Sequence, residues 1–194
     1  LTRELATFRN VYFDLANERN IRDQRFVSFE ECAQLAAAVR ALDPTRLLTA
    51  SHGGDISRDA LRSYLQVVGV DFVTPHRPRN AASPAATASI TRQLLAWMGE
   101  LGAPVPVHYQ EPFRRDFSPW QPSAEDFCTD LVGAIAGGAA GWCLHNGSNR
   151  HSEDGQPRRC FDMTPEQGRL WPRLDEVERA VIQALPEVLR ERTQ

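Results

Sequence analysis

The 194-residue sequence contains no run of eighteen or more apolar residues. A bilayer core about 30 Å thick needs about twenty, so no segment reads as a membrane-spanning helix. Residues 1–20 also lack the charged, apolar and small-residue sequence of a signal peptide. Positive charge is not in surplus: the formal net charge is −3, with Lys and Arg scattered among Asp and Glu. No basic stripe suits a phosphate backbone, and nucleic acid is not an expected partner. Cysteine is sparse, and Cys32, Cys128, Cys143 and Cys160 form no CxxC pair and no zinc-ligand spacing with histidine. They read as thiols, and neither a metal nor a cofactor is expected. What is present, 42% hydrophobic and 24% charged residues, is the profile of a soluble globular chain able to bury a core.

Apolar runs suited to buried parallel strands recur at 11–16, 46–50, 71–75, 105–109 and 140–144. Helical periodicity fills the intervals at 29–42, 58–67 after a possible Ser57 cap, 85–101 and 124–136. A closing helix is expected over 164–190, with Pro172 and Pro186 as breaks or bends. Strand starts 25 to 35 residues apart match the stride of βα units in a (β/α)8 (TIM) barrel of about 250 residues. Five units do not close such a barrel. The expectation is therefore one α/β domain, residues 1–194 forming its C-terminal portion, with three units, roughly 90 residues, preceding Leu1. Leu1–Arg9 reads as the last turns of a helix entering a strand. A doubly wound open sheet would need no missing piece, but its Gly-rich first βα turn is absent. That turn is Asn17-Glu18-Arg19-Asn20, which offers no phosphate cradle.

Each expected strand ends in polar residues: Asn17 and Glu18, Ser51 and His52, His76 and Arg77, Gln110 and Glu111, His145 and Asn146. Glutamate has little β-propensity, so one after an apolar strand is ordinarily the first solvated loop residue. In parallel βα architectures, however, the carboxyl ends of the strands form the active-site face. Two glutamates three units apart on that face suggest acid/base chemistry on a sugar.

This arrangement resembles the cellulase-like glycoside hydrolases of clan A, whose barrels carry an acid/base on strand four and a nucleophile on strand seven. If 11–16 is strand four, then 105–109 is strand seven and 140–144 is strand eight. The resemblance implies a retaining glycoside hydrolase acting on a β-linked glycan, with Glu18 as acid/base and Glu111 as nucleophile. It implies that Asn17 binds the 2-hydroxyl of the substrate and that His76 supports the site. Two departures are visible. Relatives place a tyrosine two residues after the strand-six histidine, where this chain has Pro78, and they end strand eight with a tryptophan platform, whereas Trp142 is followed by Cys-Leu-His-Asn.

Trp142, His145 and Asn146 are accordingly carried as substrate-binding candidates, as is Trp120 in the loop after the 105–109 run, where amphipathic rings such as Phe113 and Trp120 could stack on sugars or pack beneath the loop. Arg19, Arg77, Arg79, Arg114 and Arg115 read as solvated loop charges, with recognition of a carboxylated or phosphorylated glycan as the alternative. Two further readings remain open: a non-catalytic carbohydrate-binding or structural barrel, and a half-barrel completed by a partner or by homo-oligomerisation, because unpaired strand edges invite pairing.

Overall fold

The computed structural model describes residues 1–24, 26–145 and 169–190. Its order is β1 (Phe13–Asp14), α1 (Phe29–Leu42), β2 (Leu48–Thr49), β3 (His52–Gly53), α2 (Arg58–Ser63), β4 (Pro75–His76), α3 (Ser83–Glu100), β5 (His108–Tyr109), α4 (Ala124–Gly137), β6 (Gly141–Trp142) and α5 (Glu176–Arg190). The helices begin where local chemistry dictates. Ser28 accepts from the Glu31 amide at 3.1 Å while Glu31 accepts from the Ser28 amide at 2.8 Å, a reciprocal cap that satisfies two orphan donors of α1. Ser123 and Asp126 repeat the device on α4, and Ser57 caps α2. α2 continues as a widened turn over Tyr64–Val68, closed by Gly69 at φ +67°. Pro172 lies in a short 3-10 turn over Trp171–Arg173, which separates from α5, whereas Pro186 sits inside α5. The expected helix start at 164 lies outside the described residues.

Among the described residues the named strands pair in parallel, β1 with β2, β3 with β4 and β5 with β6; a parallel Val73–Val107 bridge joins the β4 and β5 segments, and an antiparallel bridge links Gly54 to His76. Each expected strand segment therefore neighbours the next in chain order. The regular ladders are shorter than the apolar runs, and the run at 46–50 and its polar end give two strands instead of one. The reason is that side chains replace ladder partners. Asp71 accepts from the Leu48 amide at 2.7 Å, Asp14 from the Ser51 amide at 2.9 Å, and Asn20 from the Gly53 amide at 2.7 Å. Buried backbone groups need a partner but not necessarily a strand.

One face of the sheet packs on the helices through a core including Leu48, Leu61, Val73, Leu94, Met98, Val107 and Tyr109. α4 approaches α3 closely because Gly133 and Gly137 carry no side chain: a Cβ on Gly137 would lie 2.5 Å from the Thr91 Cβ. A second cluster of Phe113, Phe127 and Val181 seats α5 and the loop after β5 against α4. Among the described residues no helix is long and apolar enough to cross a membrane, and Cys32, Cys128 and Cys143 are free thiols.

Candidate functional site

Side chains alternate across a strand, and that parity sorts the polar residues. Tyr12 and Asp14 from the β1 segment, His76 from β4, Gln110 after β5 and His145 after β6 gather on the sheet face away from the helices, where Glu18 and Glu111 meet them at the strand ends. Glu18 sits at φ +48°, the left-handed region that a non-glycine residue occupies at a cost. The conformation is held by its amide donating to Ser51 Oγ at 2.9 Å and by the Arg19 amide donating to the Ser51 carbonyl at 3.1 Å.

The two glutamates share partners. His76 Nδ1 lies 3.2 Å from Glu18 Oε1 and 3.6 Å from Glu111 Oε2. The Arg79 guanidinium donates to Glu111 Oε1 and reaches Glu18 Oε1 at 3.5 Å. His145 Nδ1 stands 3.5 Å from Glu111 Oε1. Oxygens of Glu18 and Glu111 and Nδ1 of His76 all lie within 4.8 Å of one another. Such a trio could hold a divalent cation, but the Arg79 guanidinium already supplies a positive charge to both carboxylates. Behind His76 runs a second line of contacts. Gln110 Nε2 lies 3.2 Å from His76 Nε2 and donates to Asp14 Oδ2 at 2.9 Å, and the Tyr12 hydroxyl donates to Gln110 Oε1 at 2.8 Å.

Burial shapes the neighbouring histidines. It lowers His145 to a pKa of about 3, aided by the nearby Arg114, Arg79 and His76, while Glu18 opposes. It lowers His52 to about 4, aided by Arg19 and His76, with Asp55 and Glu18 opposing. Both rings are neutral at pH 7, and His52 Nδ1 instead meets the Tyr64 hydroxyl at 3.0 Å. A histidine whose folded pKa is depressed stabilises the fold above its unfolded value, about 6.5. That stability is lost as the pH falls from 6.5 toward the folded values. Each ring is expected to cost about 1 kcal/mol per pH unit over that interval. Urea denaturation at pH 7 and near pH 5 checks this: His52→Asn, whose amide can replace Nδ1, should lose measurably less stability on acidification than the parent chain.

The two expected tryptophans lie elsewhere. Trp142 faces the helices: its indole N–H donates to Asp130 Oδ2 at 2.6 Å, and it lines an apolar cavity of about 390 Å³ with Leu131, Leu144 and Leu185. It is three positions before His145, so strand alternation puts the two on opposite faces, and Trp142 is no sugar platform in this arrangement. Trp120 packs on Phe113, ring centroids 5.1 Å apart, within the second core cluster. Burying its ring there offsets the ordering of the loop. Asn17 is exposed on the turn beside Glu18, and Asn146 lies outside the described residues.

The arginines divide. Arg19 is buried, its guanidinium 3.7 Å from the Phe29 ring centroid. Arg77 is buried and bound to Asp55 and to the Ser83 carbonyl. Arg115 pairs with Asp175 at 2.7 Å. The expectation of solvated loop charge fails for Arg19 and Arg77 because both guanidiniums find partners inside the fold. Nor is Arg79 a solvated charge: it joins both glutamates, and its guanidinium lies 3.8 Å from the Phe117 ring centroid. The one available sequence signal was its place three residues after His76 on the polar edge.

No model of a known protein family matches the chain, and no curated protein matches it. Solved structures do. A thermostable mutant of a xylanase from Cellvibrio japonicus superposes with a TM-score of 0.50 at 14% identity, covering 73% of this chain and 56% of that one. A xylanase from Thermobacillus composti gives 0.44 at 16% identity over 69% and 48%. An endo-1,4-beta-D-mannanase from Thermotoga petrophila gives 0.45 at 16% identity over 80% and 51%. The chain thus spans about half the length of these structures. At such identity the likeness is one of fold: an α/β chain with short parallel strands, similar in fold to TIM-barrel glycosidases.

Proposed function

We propose that the protein is a retaining β-glycoside hydrolase in which Glu18 is the acid/base and Glu111 the nucleophile. The observation that carries the reading is the separation of the two carboxylates, whose oxygens approach within 4.8 Å. Retaining enzymes place these groups about 5–5.5 Å apart, whereas inverting ones leave roughly 6.5–9.5 Å for a water. Glu18 protonates the departing glycosidic oxygen as Glu111 attacks the anomeric carbon. Glu18 then takes a proton from the water that releases the sugar. His76, 2% exposed, brings Nδ1 to both carboxylates, and Arg79 anchors Glu111, a task that falls to it in a chain with Pro78 where relatives place tyrosine. Asn17 would contact the sugar's 2-hydroxyl from its exposed turn. In this reading the five βα units correspond to strands four to eight of a (β/α)8 barrel.

The Arg79 contacts also favour a second reading, a barrel that binds glycans without turnover, because the guanidinium stands on both carboxylates. Product stereochemistry separates them. With a panel of aryl β-glycosides, the NMR spectrum of the first-formed sugar should show the β-anomer. An α-anomer as first product contradicts the two-glutamate displacement, and binding with no turnover favours the second reading.

A further inference from the structure

The contact between Gln110 Nε2 and His76 Nε2, at 3.2 Å, joins two nitrogens, so one must donate and the other accept. The surroundings of the amide decide which. Its nitrogen lies 2.9 Å from Asp14 Oδ2 and its oxygen 2.8 Å from the Tyr12 hydroxyl. Reversing the amide would put its oxygen against the Asp14 carboxylate, two acceptors with no proton between them. Asp14 is itself fixed, because its other oxygen accepts from the Ser51 amide at 2.9 Å. The Tyr12 phenol remains a donor, its pKa raised by burial and by the neighbouring Cys143 and Asp14. One amide hydrogen therefore goes to Asp14, and the other points at His76.

We infer that Gln110 is a positioning residue that fixes His76 as the neutral tautomer protonated on Nδ1, directing that one proton at Glu18 and Glu111. The relay is Tyr12 to Gln110, Gln110 to Asp14 and His76, and His76 to the two carboxylates. Its use in hydrolysis rests on the proposed glycosidase reading; the tautomer does not. A ring nitrogen is set as donor or acceptor by what its other nitrogen meets, and Gln110, a donor at this contact, leaves Nε2 with its lone pair. The same arrangement disfavours a metal on these residues, since the nitrogen facing the carboxylates carries a proton.

The test is the histidine side-chain nitrogen spectrum of the whole 194-residue chain at neutral pH, with His76 assigned by loss of its signals in His76→Gln. The parent chain should show Nδ1 in the protonated range and Nε2 in the unprotonated range. In Gln110→Glu a carboxylate replaces the donor, and Nε2 should move into the protonated range. In Gln110→Met, which removes the donor without adding charge, signals of both tautomers should average or coexist. A parent spectrum with Nε2 protonated and Nδ1 bare overturns the inference, as does a Gln110→Glu spectrum identical to the parent. The parent spectrum decides even where a variant fails to fold. If the Nδ1–H tautomer is found and no glycoside is hydrolysed, the functional reading falls and the inference stands; hydrolysis with the opposite tautomer gives the reverse.

Discussion

Glu111→Ala is expected to lower kcat on activated aryl β-glycosides by on the order of 10⁴-fold or more, the scale on which losing a covalent nucleophile is felt. Azide is expected to restore turnover, giving a glycosyl azide of inverted configuration. The structure explains why a small anion can substitute. Glu111 ends a strand and is held by Arg79, His76 and His145. Removing its carboxyl leaves a space bordered by positive charge and a hydrogen-bond donor, with Glu18 still in place to protonate an aryloxide. Because an activated leaving group needs little protonation, Glu18→Ala should show a smaller loss on the same substrates. Unchanged turnover in Glu111→Ala, measured as initial rates at saturating substrate, would remove the assignment.

The second large effect is on stability. Arg77→Met is expected to lower the unfolding free energy by about 2 kcal/mol, the scale on which losing hydrogen bonds from a charged donor is felt. Arg77 is 2% exposed. It binds Asp55, the Ser83 carbonyl at 3.0 Å and Thr87 Oγ1 at 3.4 Å, so one side chain ties the loop after β3 to the first turns of α3. Asp55 is partly exposed and can turn to water, which keeps the cost from the upper end. The buried Ser83 carbonyl keeps the Thr87 hydroxyl at 3.1 Å but loses its charged donor. Arg77→Lys should recover little, because an ammonium cannot span these partners with a planar fork. Urea denaturation measures the change, and a loss under about 1 kcal/mol would show that the pair merely breaks even with its desolvation. Arg77 also follows His76 and precedes Arg79 by two residues, so the same substitution should loosen the groups that meet the glutamates.

These two residues illustrate what could be read from the chain. Helix boundaries were legible because they are local: Ser28, Ser57 and Ser123 each precede an apolar period and accept from the third residue on. The sequential parallel strands were legible from apolar runs at regular stride, and the polar strand ends from simple inspection. Ladder lengths were not, because Asp14, Asp71 and Asn20 replace strand partners from distant positions. Side-chain direction was lost where no period constrained it. Trp142 could have been placed by counting three residues back from His145 across an alternating strand. Trp120 could not, since the loop after β5 has no period and its packing on Phe113 and Phe127 is a tertiary outcome. The places of the arginines are tertiary outcomes for a related reason. A charged residue beside a strand end is ordinarily solvated, and only the fold reveals that Arg77 meets Asp55 or that Arg79 stands between two glutamates 93 residues apart.

The central claim, that Glu111 forms a covalent bond to the sugar while Glu18 handles the proton, is tested most directly by trapping. The protein is incubated with the 2-deoxy-2-fluoro counterpart of the aryl β-glycoside it hydrolyses fastest, then digested and sequenced by mass spectrometry. The account predicts one added fluoroglycosyl mass per chain, located on Glu111. A label on any other residue, or complete hydrolysis of natural substrate with inversion and no label, would contradict it.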